Sequence, residues 1–335
     1  MEKKYSVKTI GVFAPFFYGG LTMDEKEMMN KIKYLIKKKR PLEDIILETG
    51  LKEYEVFGFV EMLKQNGWQA EYKDGFFVYQ KEQLIKDRDV YKMAAGEKHK
   101  LLFISDTHLG SKYDRLDILR YLYDLAEDEE INTVFHVGDL CDGTYPNRPN
   151  HTYELRAHGA EEQLEYIVEK YPSKTGIKTM FIGGNHDYSH VRNAGFDIGK
   201  AVAKERPDMI YLGQDVADVD YGKTRLRLFH GSKGQSYARS YRMQKYVEQI
   251  PTEEKPDILL MGHYHNSFYM KYADVHCFQV PSTIDQTPYA RSLGLNNEKG
   301  AWIADLTTDK QGGIMTIEPK FIDFSGQKRL VRRKK

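Results

Sequence analysis

Residues 101–108 read Leu101-Leu102-Phe103-Ile104-Ser105-Asp106-Thr107-His108. A short run of large apolar residues fits a strand buried on both faces, as in the parallel sheets of α/β proteins. The Asp-x-His that closes it places a carboxylate and an imidazole at the strand end, where open α/β sheets bind their ligands. In an extended segment residues two apart project to one side, so Asp106 and His108 can grip one ion together. The same arrangement recurs downstream. Thr133–Val137 precedes Gly138-Asp139, and Lys178–Ile182 precedes Gly184-Asn185-His186-Asp187. Leu226–Phe229 precedes His230-Gly231, and Ile258–Met261 precedes Gly262-His263-Tyr264-His265. Helices are expected between these strands, notably over 115–129 and 159–170, so residues 99–324 read as one α/β domain.

Taken singly, each motif says little, because a lone strand-end histidine is usually a satisfied core residue. Five in this order point to a metal cluster. Carboxylate, imidazole and carboxamide ligands suit Mn²⁺, Fe, Zn²⁺ or Mg²⁺, and the lack of accompanying thiolates argues against a structural zinc site. His263 and His265 can face the same cluster, and an aspartate has two oxygens with which to bridge two cations. Without metals, burying so many polar groups would be costly. Glycines 138, 183, 184, 231 and 262 let the backbone turn sharply beside the ions. His136 reads as a core histidine and Cys141 as a small packing residue behind Asp139. Nothing favours a substrate contact over a surface position for His151, His158 or His190.

The motif set resembles the calcineurin-like metallophosphoesterases. The resemblance implies a four-layer αββα sandwich and two divalent ions, Mn²⁺ favoured with Fe, Zn²⁺ or Mg²⁺ as alternatives. Asp106, His108, Asp139 and His265 would hold the first ion. Asp139, Asn185, His230 and His263 would hold the second, with Asp139 bridging. His186 would protonate the leaving oxygen and Asp187 would orient its imidazole. The ions, about 3.5–4 Å apart, would bind the phosphate and activate a hydroxide for in-line attack. Phosphoprotein phosphatases of this superfamily carry Gly-Asp-x-x-Asp-Arg-Gly and Asn-His-Glu. Here Gly138-Asp139-Leu140-Cys141-Asp142-Gly143 lacks the arginine and Asn185-His186-Asp187 changes the acid, which disfavours that activity.

The local text is instead similar to the nuclease subunit of double-strand-break repair complexes and to the proofreading small subunit of archaeal family-D polymerases. Ser105-Asp106-Thr107-His108-Leu109-Gly110-Ser111 and the 138–143 motif carry that similarity. The layout departs from both. Break-repair nucleases begin with the phosphoesterase, whereas residues 1–98 precede it here, and the archaeal subunit has an oligonucleotide-binding barrel in place of the N-terminal domain read below.

Before the phosphoesterase, residues 1–23 form an unassigned arm and 24–82 read as a small winged helix-turn-helix domain. Thr22 and Glu25 have capping-box spacing. Met28, Ile32, Leu35 and Ile36 follow at helical spacing. Pro41 opens a second helix, a third covers roughly 52–65 up to Gly67, and Trp68 to Tyr79 reads as a hairpin around Lys73-Asp74-Gly75. The third helix carries Glu53, Glu55 and Glu61, a poor match to a phosphate backbone. Lys37-Lys38-Lys39-Arg40 is the better phosphate contact, or a solvated helix end. Residues 83–98 read as a linker, helical in character, and 325–335 as a basic tail.

Composition narrows the function further. Across 335 residues the formal net charge is +1, so any nucleic-acid surface must be local. Only Cys141 and Cys277 occur, which fits a reducing cytosol, and no membrane span or signal segment is read. The expected location is cytoplasmic. Lys233, Tyr237, Arg239, Tyr241 and Arg242, beside His230, are candidate substrate-binding residues of the basic-aromatic kind that suits a phosphodiester chain. Their alternative is an amphipathic helix with packed tyrosines and solvated cations. The expected function is therefore a phosphodiesterase cleaving DNA or RNA. The alternatives are a phosphodiesterase of cyclic or other small nucleotides and a non-catalytic nucleic-acid docking subunit. Nucleic acid is the expected partner. A protein partner for the N-terminal domain and a homodimer are the others considered, and no membrane is expected.

Overall fold

A computed structural model describes residues 23–65, 70–79, 91–93, 98–148, 150–221, 223–232, 234 and 236–326. The chain divides into two units, Met1–Asp87 and Arg88–Lys335. In the first lie α1 (Met23–Lys37), α2 (Leu42–Thr49), α3 (Glu53–Gln65), β1 (Ala70–Lys73) and β2 (Phe76–Tyr79). Ile32, Leu35 and Ile36 of α1 meet Ile45, Val56, Val60, Leu63 and Phe77 in one buried cluster. Burying each such side chain contributes about 1.5–3 kcal/mol before chain entropy is counted. Pro41 precedes α2, and Gly50 closes it in the left-handed conformation. β1 and β2 pair antiparallel through Asp74 and Gly75, whose positive φ values (51° and 87°) give the two-residue turn whose twist suits a hairpin. Thr22, Gly67, the arm 1–22 and the tail from residue 327 lie outside the described residues.

The second unit begins with β3 (Tyr91–Met93), β4 (Lys98–Ile104), α4 (Leu116–Asp128), β5 (Thr133–Val137), α5 (His151–Glu154) and α6 (Gly159–Lys170). It continues with β6 (Lys178–Gly183), α7 (Asn185–Ala194), α8 (Ile198–Glu205), β7 (Met209–Gln214), β8 (Val216–Tyr221) and β9 (Thr224–Phe229). Then come α9 (Tyr241–Gln249), β10 (Ile258–Met261), β11 (Phe268–Tyr272), β12 (Val275–Gln279), α10 (Pro288–Ser292), β13 (Gly300–Thr308) and β14 (Ile314–Asp323). Two six-stranded sheets result, ordered β14-β13-β4-β5-β6-β7 and β11-β12-β10-β9-β8-β3. Residues 91–93, read from sequence as part of a helical linker, are instead an edge strand paired with β8. Three residues are too few to show a period that separates strand from helix.

Alternation along β4 explains the layering. Leu101 and Phe103 point to the second sheet, where Phe103 meets Phe278 edge-on at 5.2 Å. Leu102 and Ile104 point the other way, into a cluster with Leu119, Leu122, Ile167 and Val202 of α4, α6 and α8. α9 covers the far sheet through Met243 and Val247. The order is helices, sheet, sheet, helix. A strand inside such a stack is dry on both faces, so it reads as an unbroken apolar run. The parallel strands β4, β5 and β6 end on the same side, and β9 and β10 run parallel in the facing sheet. The loops after these strands carry the polar motifs. Among the described residues no helix is long and apolar enough to cross a membrane.

Candidate metal centre

Five of the predicted ligands sit in left-handed backbone: Asp106 (φ 51°), His108 (45°), Asp139 (52°), His263 (79°) and His265 (52°). Few non-glycine residues adopt that region, and where they do the surroundings must hold them there. The geometry therefore differs from the same-side strand pairing expected for Asp106 and His108. Each chain turns abruptly past its strand, and the turn aims the side chain inward. Neighbouring glycines make the room. A Cβ on Gly138 would stand 2.5 Å from His230 Nδ1, and one on Gly184 would run into Asp139 Oδ1 and His230 Nε2.

The side chains converge in three overlapping groups: Asp106, His108 and His265; His108, Asp139 and His186; and Asp139, His230 and His263. Within each, the ligand atoms lie within 4.8 Å of one another. His108 Nδ1 donates to Asp142 Oδ1 at 3.1 Å, which leaves Nε2 facing His265 Nε2 at 3.3 Å. His230 Nδ1 donates to the Val137 carbonyl at 2.7 Å, leaving its Nε2 3.1 Å from Asp139 Oδ2 and 3.2 Å from Asn185 Oδ1. Asn185 spends its amide donor on the Tyr145 hydroxyl, which fixes its oxygen toward the cluster. Asp106 Oδ1 is fully buried, meets no donor in hydrogen-bonding geometry, and lies 3.1 Å from His265 Nε2. Lone pairs aimed at one another need a proton or a cation between them, and bonds to the remote Nδ1 are how metal-binding histidines are oriented. The donor set, all nitrogen and oxygen, fits divalent metals.

Electrostatics agree. Burial opposes a charge on His230, yet Asp139 and then Asp106 lift it to about 10. Burial likewise opposes a charge on His108, which the hydrogen bond to Asp142 and the nearby Asp139 raise to about 9. A field that draws protons onto buried imidazoles would also hold cations. Burial dominates at His186 and His263 and lowers each to about 4.

Residues 100–282 match the family profile of the calcineurin-like phosphoesterase superfamily domain. The chain belongs to that superfamily. It is 25% identical over 304 residues to the DNA polymerase II small subunit of Thermoplasma acidophilum, across 78% of this chain and 59% of that protein. It is also 25% identical over 172 residues to the DNA double-strand break repair protein Mre11 of Sulfurisphaera tokodaii, across 49% of this chain and 40% of that protein. The chain thus spans only part of the curated relatives it matches. A solved archaeal phosphodiesterase aligns over 67% of this chain and 99% of its own, with 15% identity and a TM-score of 0.38. Calcineurin-like phosphoesterases are phosphoester hydrolases that bind divalent metals, and the clusters here are of the kind that could hold them.

In this chain the Asp187 carboxylate is hydrogen-bonded to backbone rather than to the His186 ring. It accepts the backbone N–H groups of Leu140, Cys141 and Gly184 at 3.1, 2.9 and 2.8 Å. Adjacent residues on a helix do not face each other, and both residues lie on α7. The His186 Nδ1–H is donated instead to the Asp142 carbonyl at 2.6 Å. In sequence Asp142 lies inside the 138–143 motif with no local pattern that assigns it a role. Only the fold brings it to His108, His186 and His151, whose Nε2 is 3.4 Å from Asp142 Oδ2. His151 and His190 are buried rather than on the surface, and His158 is exposed. His136 is a core histidine, bonded to Thr107 Oγ1 at 3.0 Å.

The basic-aromatic segment reaches the cavity over the cluster at Gly234, not through its described candidate side chains. Tyr237, Arg239, Tyr241 and Arg242 are not among the residues that line it, and Lys233 lies outside the described residues. Arg239 is paired with Glu298 at 2.6 Å, and Arg242 donates to the Gly234 carbonyl. Tyr246 stacks on Phe229 at 3.9 Å. Tyr237 and Tyr241 are exposed and Arg239 is ion-paired, so the segment fits neither packed tyrosines nor freely solvated cations throughout.

Proposed function

We propose that this chain is a dinuclear metal-dependent phosphodiesterase that cleaves nucleic acid. The observation that carries the reading is the convergence of all seven expected ligands on one buried cluster whose lone pairs face each other. Asp106, His108, Asp139 and His265 would hold one ion, and Asp139, Asn185, His230 and His263 the other. Asp139 would bridge, since its Oδ2 lies 3.1 Å from His230 Nε2 and 3.9 Å from His108 Nε2, while Oδ1 is held by the His186 backbone N–H. Mn²⁺ is the favoured metal. Bound ions of this kind supply Lewis acidity that makes water a nucleophile near neutral pH and offset phosphate charge.

The chain's own groups do the rest. The Asp142 carbonyl fixes the His186 Nδ1 proton and presents Nε2 to the substrate. Burial keeps that ring neutral at rest, and a bound phosphodiester's negative charge favours its protonation, so His186 can pass a proton to the leaving oxygen. Asp187 ties the loop after β5, which carries Asp139, to Gly184 at the end of β6. The relatives named above, a DNA polymerase subunit and a DNA repair protein, support nucleic acid as the substrate class. The N-terminal unit, a three-helix cluster closed by a hairpin, is read as a winged helix-turn-helix that docks nucleic acid or protein. A non-catalytic role would leave the complete polar cluster unexplained.

The test is hydrolysis of labelled single-stranded DNA, duplex DNA, RNA and a chromogenic phosphodiester, with and without Mn²⁺, by wild type, His186→Ala and Asp139→Ala. Mn²⁺-dependent cleavage of a polynucleotide, abolished in both variants, is expected. Turnover of the chromogenic diester alone would overturn the nuclease reading and favour a small-nucleotide phosphodiesterase.

A further inference from the structure

Arg148 stands where the cavity over the metal cluster meets a second one. The first, of about 300 Å³, runs from His108, Asp139 and His186 to Arg148 and Tyr289. The second, of about 350 Å³, is lined by Arg148, Asn150, Pro288, Tyr289 and Ser292. The Arg148 guanidinium carbon lies 4.3 Å from the Tyr145 ring centre and 4.1 Å from that of Tyr289. Two rings thus hold this cation in place. Among the described residues no carboxylate pairs with it. The N–H donors around a guanidinium's edge are the groups that meet phosphate oxygens two at a time.

The position relative to the chemistry is equally specific. Tyr145 lies between Arg148 and the cluster: its ring centre is 4.8 Å from that of His186, and its hydroxyl contacts Asn185. The cation is therefore one aromatic ring away from the group proposed to protonate the leaving oxygen. Glu154 and His151 line both cavities. Burial raises the Glu154 carboxyl, while the charge of Arg148 acts to lower it.

We propose that Arg148 binds the phosphate next to the scissile one, so that the substrate is a strand with at least two phosphates lying across both cavities. This rests on the nuclease reading and adds a requirement that a one-phosphate diester cannot meet. The expected effect is on substrate capture, because the neighbouring phosphate undergoes no bond change.

The experiment measures kcat and KM of the full chain with Mn²⁺ on a dinucleotide with one phosphodiester, a trinucleotide with two, and bis(4-nitrophenyl) phosphate. Wild type should favour the trinucleotide over the dinucleotide. In Arg148→Gln that advantage should collapse by roughly tenfold or more, through KM, as expected for a lost charged hydrogen bond. The slope of log(kcat/KM) against log[salt] on the trinucleotide should fall by about 0.7, the value for one phosphate contact to a single strand. Arg148→Lys should restore part of both. Equal loss on all three substrates, or loss on none, would overturn the assignment. A wild type that cleaves both oligonucleotides equally well overturns this inference alone. A wild type that turns over only the chromogenic diester overturns the nuclease reading and this inference with it.

Discussion

His108 Nδ1 donates to Asp142 Oδ1 at 3.1 Å, with both side chains almost fully buried. A carboxylate can only accept, so this bond fixes the imidazole tautomer and turns Nε2 toward the cluster. Asp142→Asn keeps the backbone carbonyl that holds His186 and removes only the carboxylate. It should lower metal affinity about 10–100-fold, the usual range for losing such a partner. Calorimetric titration with Mn²⁺ checks this; unchanged affinity would mean that Asp142 does not steer His108.

His186 and Asp187 are neighbours with separable roles. His186→Ala should lower kcat by about 10²–10⁴ while leaving metal content and melting temperature near wild type. Asp187→Ala strips the acceptor from the buried N–H groups of Leu140, Cys141 and Gly184. An unsatisfied buried donor costs about 1–3 kcal/mol, so the melting temperature should drop by roughly 5 °C or more. A slow but thermally intact Asp187→Ala would return that residue to the role of orienting His186.

Gly184 is the sharpest steric test of the centre. A methyl group there meets both Asp139 and His230. Gly184→Ala should therefore release bound metal and abolish turnover, although the sheets behind it are unchanged. Metal content by mass spectrometry after dialysis measures the effect, and full retention of metal would show that the loop yields more easily than its packing implies.

His190 gives a pH signature away from the ligands. It is buried, its Nε2 lies 3.1 Å from Gln163 Oε1, and burial lowers it to about 4. An unfolded histidine titrates near 6.5 (approximately), so between these values the unfolded chain binds more protons. This contribution to stability is full above about pH 6.5 and is lost as the pH falls toward 4. His190→Gln lacks it, so the stability gap between wild type and variant should be widest at neutral pH and narrow toward pH 4.5. Denaturant midpoints across that range measure the gap; a constant gap would contradict the assignment.

The strands that carry ligands were legible because β4, β5, β6, β9 and β10 lie inside a layered stack and read as apolar runs. The candidate ligands were legible because their motifs follow directly on these strands, and Asp139, Asn185, His230 and His263 each stand beside a glycine. Other parts were not. β13 pairs with β4 in the same sheet, but its Asp305 and Thr307 break the apolar run. The hydrogen bonds of Asp187 to Leu140, Cys141 and Gly184 were not legible, because adjacency to His186 in sequence is not adjacency on a helix. Tyr145, Arg148 and Tyr289 carry no local pattern, and their juxtaposition depends on loops far apart in the chain. Arg239 is a substrate-binding candidate in sequence, and its Glu298 partner lies in a distant loop that no local pattern connects to it.

The central claim is a two-ion centre bridged by Asp139, and counting bound metal tests it most directly. Protein loaded with Mn²⁺, freed of excess and analysed by mass spectrometry should carry two ions per chain. His263→Ala should carry fewer, and Asp139→Ala should carry close to none. One ion or none in the wild type, or two in Asp139→Ala, would contradict the account.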